Sequence, residues 1–195
     1  MPTKHRKRVK HFDEPGHCHE LTFSCYRRLP LLTDDGHCRR VCEGLGNAMR
    51  RHRYRLFAFV LMPEHVHLLV QPLPDGSPIS DLLRAIKRPV SYRIKRRMQT
   101  TNSEWLERLT IRQRPGVMTF RFWQEGPGYD RHLTEPGSIV ASIEYIHANP
   151  VRRGLCQRVS DWKWSSARWH IDSENLDADL PNLDALPPEL LDGLE

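Results

Sequence analysis

Met62-Pro63-Glu64-His65-Val66-His67-Leu68-Leu69-Val70 sets the frame for this 195-residue chain. It follows a second apolar run, Leu56 to Leu61, after a sharp Pro-Glu break. The two runs therefore read as strands over 54–62 and 65–71 of a tight antiparallel hairpin. Residues two apart on a strand share a face, so His65 and His67 point one way while Val66, Leu68 and Val70 point the other. Two imidazoles side by side on a rigid strand are half of a metal site, since histidine is the commonest metal ligand near neutral pH. A lone His-x-His is weak by itself, and the remaining donors must come from elsewhere in the chain.

Upstream of the hairpin, His19 to Tyr26 alternates as a first strand. Residues 37–52 carry Val41, Leu45, Ala48 and Met49 on one helical stripe, although Gly44 and Gly46 lower the intrinsic propensity. Downstream, Asp75-Gly76-Ser77-Pro78 is a turn that opens a helix bearing Ile79, Leu82, Leu83 and Ile86. Pro89 is expected to kink or split that helix, because proline lacks the donor and clashes one turn back. Residues 99–119 show weak periodicity and read mostly as loop, with Thr119–Gln124 as a fourth strand. Pro136-Gly137-Ser138 opens a last helix, from Ile139 to about Ala148, which Asn149-Pro150 ends or nearly ends. Trp162-Lys163-Trp164-Ser165-Ser166 should pack back on the body. This order predicts an α+β domain, an antiparallel sheet covered by helices, of the ferredoxin-like or RNA-recognition-motif type.

The charge is unevenly distributed. Residues 171–195 hold eight acidic side chains and no Lys or Arg, so the remainder carries 30 basic against 16 acidic groups, a formal +14. A body that basic favours a polyanion, nucleic acid first. The expected division is a basic arm over 1–16, a domain over 17–170 and an acidic, flexible tail over 171–195. The longest apolar run is too short to cross a bilayer and nothing resembles a secretory signal. Five cysteines without a paired framework fit free thiols, so a cytoplasmic, nucleoid-associated protein is expected. A zinc site using His17, Cys18 or His19 with Cys38 and Cys42 matches no familiar ligand spacing.

The helix from Ile139 carries a second set of candidates. Its apolar stripe is Ile139, Val140, Ile143 and Ile146, and Tyr145 lies about 200° from Ile143, on the far side. Small or polar residues surround it there, which suits a ligand-facing phenol. Asn149 is four residues on and stacks over the same face. One helix thus offers a phenol and an amide together, and that amide could complete a metal site with His65 and His67.

These motifs resemble a known family. His65-Val66-His67 is similar to the His-hydrophobic-His signature of the HUH single-tyrosine nucleases. Phe122-Trp123-Gln124-Glu125-Gly126 and the run Tyr145-Ile146-His147-Ala148-Asn149-Pro150-Val151-Arg152-Arg153-Gly154 resemble later blocks of the insertion-sequence-200-like transposases. Asp161-Trp162-Lys163-Trp164-Ser165-Ser166 points to their relatives associated with repetitive extragenic palindromes (REP). The likeness spans roughly residues 17–170. It implies Tyr145 as nucleophile, His65, His67 and Asn149 as ligands of Mg²⁺ or Mn²⁺, and single-stranded DNA near hairpins as substrate. A free phenol has a pKa near 10, so its phenolate is disfavoured by about 4 kcal/mol at pH 7, part of which a divalent ion on the phosphate offsets.

Tyr92 and Tyr129 are rival nucleophiles. The basic arm (Lys4, Arg6, Lys7, Arg8), the basic helix segment (Arg93, Lys95, Arg96, Arg97) and Arg152 with Arg153 are candidate DNA contacts, which position backbone more than they read sequence. The expected protein is a monomer or homodimer. The competing expectation is a catalytically silent DNA-binding protein derived from such a transposase.

Overall fold

A computed structural model describes residues 16–126, 128–173 and 177–192. The basic-arm candidates Lys4, Arg6, Lys7 and Arg8 lie outside these. The central layer is a four-stranded sheet of β1 (Cys18–Ser24), β2 (Tyr54–Met62), β3 (His65–Pro72) and β6 (Tyr129–Leu133) in the order β2-β3-β1-β6. Every pairing is antiparallel. With α1 (Asp35–His52) after β1 and α2 (Ile79–Thr100) after β3, this is the β-α-β-β-α-β order of a ferredoxin-like sheet.

The two faces of the sheet are chemically different. Leu21, Phe23, Leu56, Phe59, Leu61, Val66, Leu68 and Val70 bury one face against Val41, Leu45, Leu82, Ile86, Val90 and Ile94 of α1 and α2. On the other face Phe57, Ala58, Val60, Met62 and Leu69 pack on Ile139, Ile143 and Ile146 of α4 (Pro136–Arg152). A β-bulge between Leu56 and Ala58 puts both Phe57 and Ala58 on the α4 side. Because the side-chain period is two, His65 and His67 fall on this second face, beneath α4.

Several expectations need correction. Residues 99–119 are not mostly loop: α3 (Glu104–Leu109) leads into a two-stranded hairpin of β4 (Thr110–Arg114) and β5 (Val117–Phe120), turning at Gly116 with φ +74°. Both faces of that hairpin are largely solvated, which erases the alternation that marks a half-buried strand. The fourth strand of the sheet is β6 rather than Thr119–Gln124. Phe122 and Trp123 enter the core instead, and Trp123 forms only an isolated bridge to Cys25. Pro89 does not split α2, because it sits on the exposed side while Ile86, Val90 and Ile94 hold the buried stripe. Asn149-Pro150 lies within the last turn of α4, which ends two residues on at Arg152.

The Trp162–Ser166 segment does pack on the body. Leu61 N–H donates to Trp164 O (2.8 Å), Ser166 N–H to Phe59 O (3.0 Å), and Trp162 Nε1 to Leu61 O (2.9 Å). A short helix, α5 (Ala167–Ile171), follows. The acidic C-terminal segment also departs from the free, flexible tail expected of it. Leu180 and Leu183 pack against one core, Leu186 and Leu190 against the other, and Asp184 pairs with the backbone of Leu56. Among the described residues no helix is long and apolar enough to cross a membrane.

Candidate active site

Strand pairing assembles the site. His67 on β3 lies opposite Thr22 on β1, and Thr22 in turn lies opposite Tyr129 on β6. Each imidazole is pinned through Nδ1. His65 Nδ1 is 3.1 Å from Glu64 Oε1, and His67 Nδ1 is 2.8 Å from the Thr22 hydroxyl. A hydrogen on each Nδ1 leaves the Nε2 lone pairs to converge, and the two Nε2 atoms stand 2.9 Å apart.

That spacing fits adjacent ligands of a six-coordinate ion. Bonds of about 2.1 Å at right angles place neighbouring donors about 3.0 Å apart. Burial, then the charges of His65 and Arg28, pushes the His67 imidazole down to about 4. Burial also lowers His65, against the opposing pull of Glu64. Both rings are thus neutral at pH 7, the form a metal requires. Burial acts to raise the Glu64 carboxyl, but the hydrogen bond and charge of Arg153, with His65, hold it below its ordinary range. Residues 64, 65 and 153 therefore form an orienting chain behind the imidazole pair.

Tyr145 stands over the pair. Its ring meets His67 edge to face at 5.7 Å between centroids, in the same protomer, and it is 40% exposed. Arg152, two turns along α4, stacks on the Tyr145 ring at 5.2 Å. Asn149 is buried, and its Nδ2 donates to the Tyr145 carbonyl oxygen at 2.8 Å. Its amide is therefore tied to the same turn of α4, which keeps its helical course although Pro150 follows it.

The other candidates are dispersed. Tyr92 is 61% exposed on α2, in the layer across the sheet from the histidines. There it lines an open groove of about 710 Å³ with Arg40, Arg93, Arg96 and Arg97. Lys95 lies over Phe120 instead. Tyr129 opens onto the same cleft as Tyr145 and His67. The zinc alternative, disfavoured by its spacing, finds no cluster either: Cys38 and Cys42 are in the α1 core, Cys18 is in the α4 core, and no group of three or more His, Cys, Asp or Glu suited to a metal occurs among the described residues. Sequence reasoning missed Glu64 and Thr22. Glu64 was visible as the residue before His65; Thr22 becomes visible only once β1 is paired with β3.

Paired imidazoles on an inner strand of a ferredoxin-like sheet, with a tyrosine set over them by a facing helix, define a His-x-His domain of the single-tyrosine class. Residues 16–114, half of the chain, match the family described as "Transposase IS200 like", and the chain belongs to that family. A Haemophilus influenzae protein named as a REP-associated tyrosine transposase is 25% identical over 122 residues, covering 62% of this chain and 63% of that protein. The REP-associated tyrosine transposase of Escherichia coli K12 is 27% identical over 145 residues, covering 72% of this chain and 69% of its own. A solved REP-associated tyrosine transposase bound to a REP hairpin shares the fold, with a TM-score of 0.63, 20% identity, and coverage of 93% of this chain and 95% of that one.

Proposed function

We propose that the protein is a metal-dependent single-stranded DNA nuclease and strand transferase, a transposase that acts beside hairpins through a 5′-phosphotyrosine intermediate. The observation that carries this reading is the placement of Tyr145 over His67 in one protomer, next to the converging Nε2 atoms. Residues 17–170 are the catalytic body in this reading, and the site is complete in cis. When bound, a Mg²⁺ or Mn²⁺ ion held by His65, His67 and the Asn149 amide would polarise the scissile phosphate and hold it in line.

The chain's own groups supply the rest. The Tyr145 oxygen forms a bond to phosphorus while the bond to the 3′-oxygen breaks; the phenol gives up its proton, and the freed 3′-oxygen takes one up. No water enters, so the phosphotyrosine keeps the bond for transfer to a second 3′-end. Arg152 places positive charge at the face of the attacking ring, and Glu64 and Thr22 hold both imidazoles in the tautomer that presents Nε2. The similar proteins are named for REP sequences and the structural neighbour holds a REP hairpin, so hairpin-flanked single strands are carried over as the substrate class.

The test is a denaturing gel of the protein incubated with hairpin-bearing single strands and Mn²⁺. The wild type should yield a covalent protein–DNA band. Tyr145→Phe should abolish it while leaving DNA affinity within about twofold, since the ring and its stacking remain. A band that survives Tyr145→Phe would move the nucleophile to Tyr129, and DNA binding with no band from any variant would leave a silent DNA-binding relative.

A further inference from the structure

The α4 face of the sheet is only half covered. The apolar stripe of α4 lies over β2, Leu69 of β3 and one end of β1 and β6 (Cys18 and Leu133), whereas Glu20 and Thr22 of β1 and Tyr129 and Arg131 of β6 line an open cleft of about 340 Å³. Ala141, Ser142 and Tyr145 of α4 form its far wall, and His67 reaches into it. Glu20 is 5% exposed, a carboxylate at the floor of the cleft. The Ser142 hydroxyl donates to its Oε2 at 3.1 Å, and Arg131 Nη1 lies 3.9 Å from the same oxygen. At the rim, Tyr129 is 56% exposed. Gly128 sets that position: with φ +82° it approaches so closely that a Cβ would lie 2.2 Å from Thr22 O.

A flat aromatic at the mouth, small residues on one wall and a fixed acceptor on the floor suit one planar heterocycle with an exposed amino group. We propose that this cleft takes the unpaired base next to the scissile phosphate, with Tyr129 stacking on the base and Glu20 accepting a hydrogen bond from its amino group. The inference rests on the reading of the protein as acting on single-stranded DNA. A carboxylate accepts from the N4 amino group of cytosine and equally from the amino groups of adenine and guanine. Thymine instead presents an N–H between two carbonyl oxygens, and those oxygens face Glu20 unfavourably. Glu20 is thereby a specificity-determining residue at the cleavage site, and the excluded base is thymine.

The experiment measures equilibrium binding of fluorescein-labelled dC6 and dT6 by anisotropy, in the Tyr145→Phe background so that no bond is made or broken. The parent should bind dC6 about tenfold more tightly than dT6. Glu20→Gln should bring the ratio close to one without weakening dT6, which also shows that the variant is folded. Ala141→Trp, at an exposed helix position, should fill the cleft and likewise erase the preference. Tyr129→Ala should weaken both strands about tenfold and leave their ratio alone. A parent without preference, or a preference that Glu20→Gln leaves intact, overturns the proposal. Covalent adduct formation is not read here: its failure would remove the cleavage chemistry and leave only the base preference of the cleft, whereas a parent without preference would overturn this proposal and leave adduct formation untouched.

Discussion

Glu64 orients two partners with one carboxylate: its Oε1 is 3.1 Å from His65 Nδ1 and also pairs with Arg153. The first contact fixes which nitrogen of His65 faces the Tyr145 side; the second keeps the carboxylate ionised and turned toward the ring. Partners behind metal-bound histidines typically contribute 10- to 100-fold to affinity. Glu64→Ala should therefore weaken Mn²⁺ binding by roughly 10- to 100-fold in calorimetry, and saturating Mn²⁺ should restore adduct formation. An unchanged affinity would remove Glu64 from the site. At this scale the sequence was informative where the argument used faces: His65 with His67 on one strand face, Tyr145 off the apolar stripe of its helix. It was silent on Glu20 and Thr22, because which strands lie side by side is not written in local periodicity.

The helix that presents Tyr145 is held by buried polar contacts as well as by its apolar stripe. His147 Nε2 is 2.8 Å from the Ser166 hydroxyl, which also accepts from Phe59 N–H (2.8 Å), so α4 is tied to the outer edge of β2. Burial, then the charge of His170, pushes the His147 imidazole down to about 3, and burial lowers His170 as well. As pH falls, the unfolded imidazole, with an ordinary pKa of about 6.5, takes up its proton first. The stabilisation is complete above pH 6.5 and is lost progressively toward pH 3. By pH 5 the loss from His147 alone is about 2 kcal/mol. Urea unfolding at pH 7.5 and pH 5.0, without added metal, should show this loss in the wild type. His147→Gln, which keeps a donor for Ser166, should be flatter across the interval by about that amount; an equal pH response in both proteins would refute the assignment. Apolar strands buried on both faces (β2 and β3), and helices with a strong stripe, were readable in sequence. β6 was not, because in Tyr129-Asp130-Arg131-His132-Leu133 only Leu133 is buried, and an edge strand of that kind shows no alternation of hydrophobicity.

At the scale of the whole molecule, the exposed edge of the sheet explains the C-terminal segment. β2 ends the sheet on one side, and an unpaired strand edge offers its backbone to other chains. Residues 164–166 cover part of that edge, and Asp184 covers the bulge: its N–H donates to Leu56 O and its carboxylate accepts from Leu56 N–H, each at 2.9 Å. The segment expected from its composition to be a solvated acidic tail is therefore, over its described residues, a strap across β2. Composition misled because the eight acids mask Leu180, Leu183, Leu186 and Leu190, which are spaced to reach the cores on both sides of the sheet. Two forces could hold the strap, and their magnitudes separate them. The Asp179 pairs with Arg39 (3.0 Å) and Lys163 (3.5 Å) lie at the solvated surface, where water screens them and salt weakens them further. Four partly buried leucines at roughly 1 kcal/mol each outweigh them. Removing residues 174–195 should thus lower Tm by about 10 °C, on a scale of about 2–4 °C per kcal/mol for a domain of this size. The deficit should persist in 1 M NaCl, and Asp184→Ala should reproduce only part of it, because it removes the edge contact and leaves the leucines. A deficit that vanishes at high salt would make the strap electrostatic and overturn its assignment to the leucines.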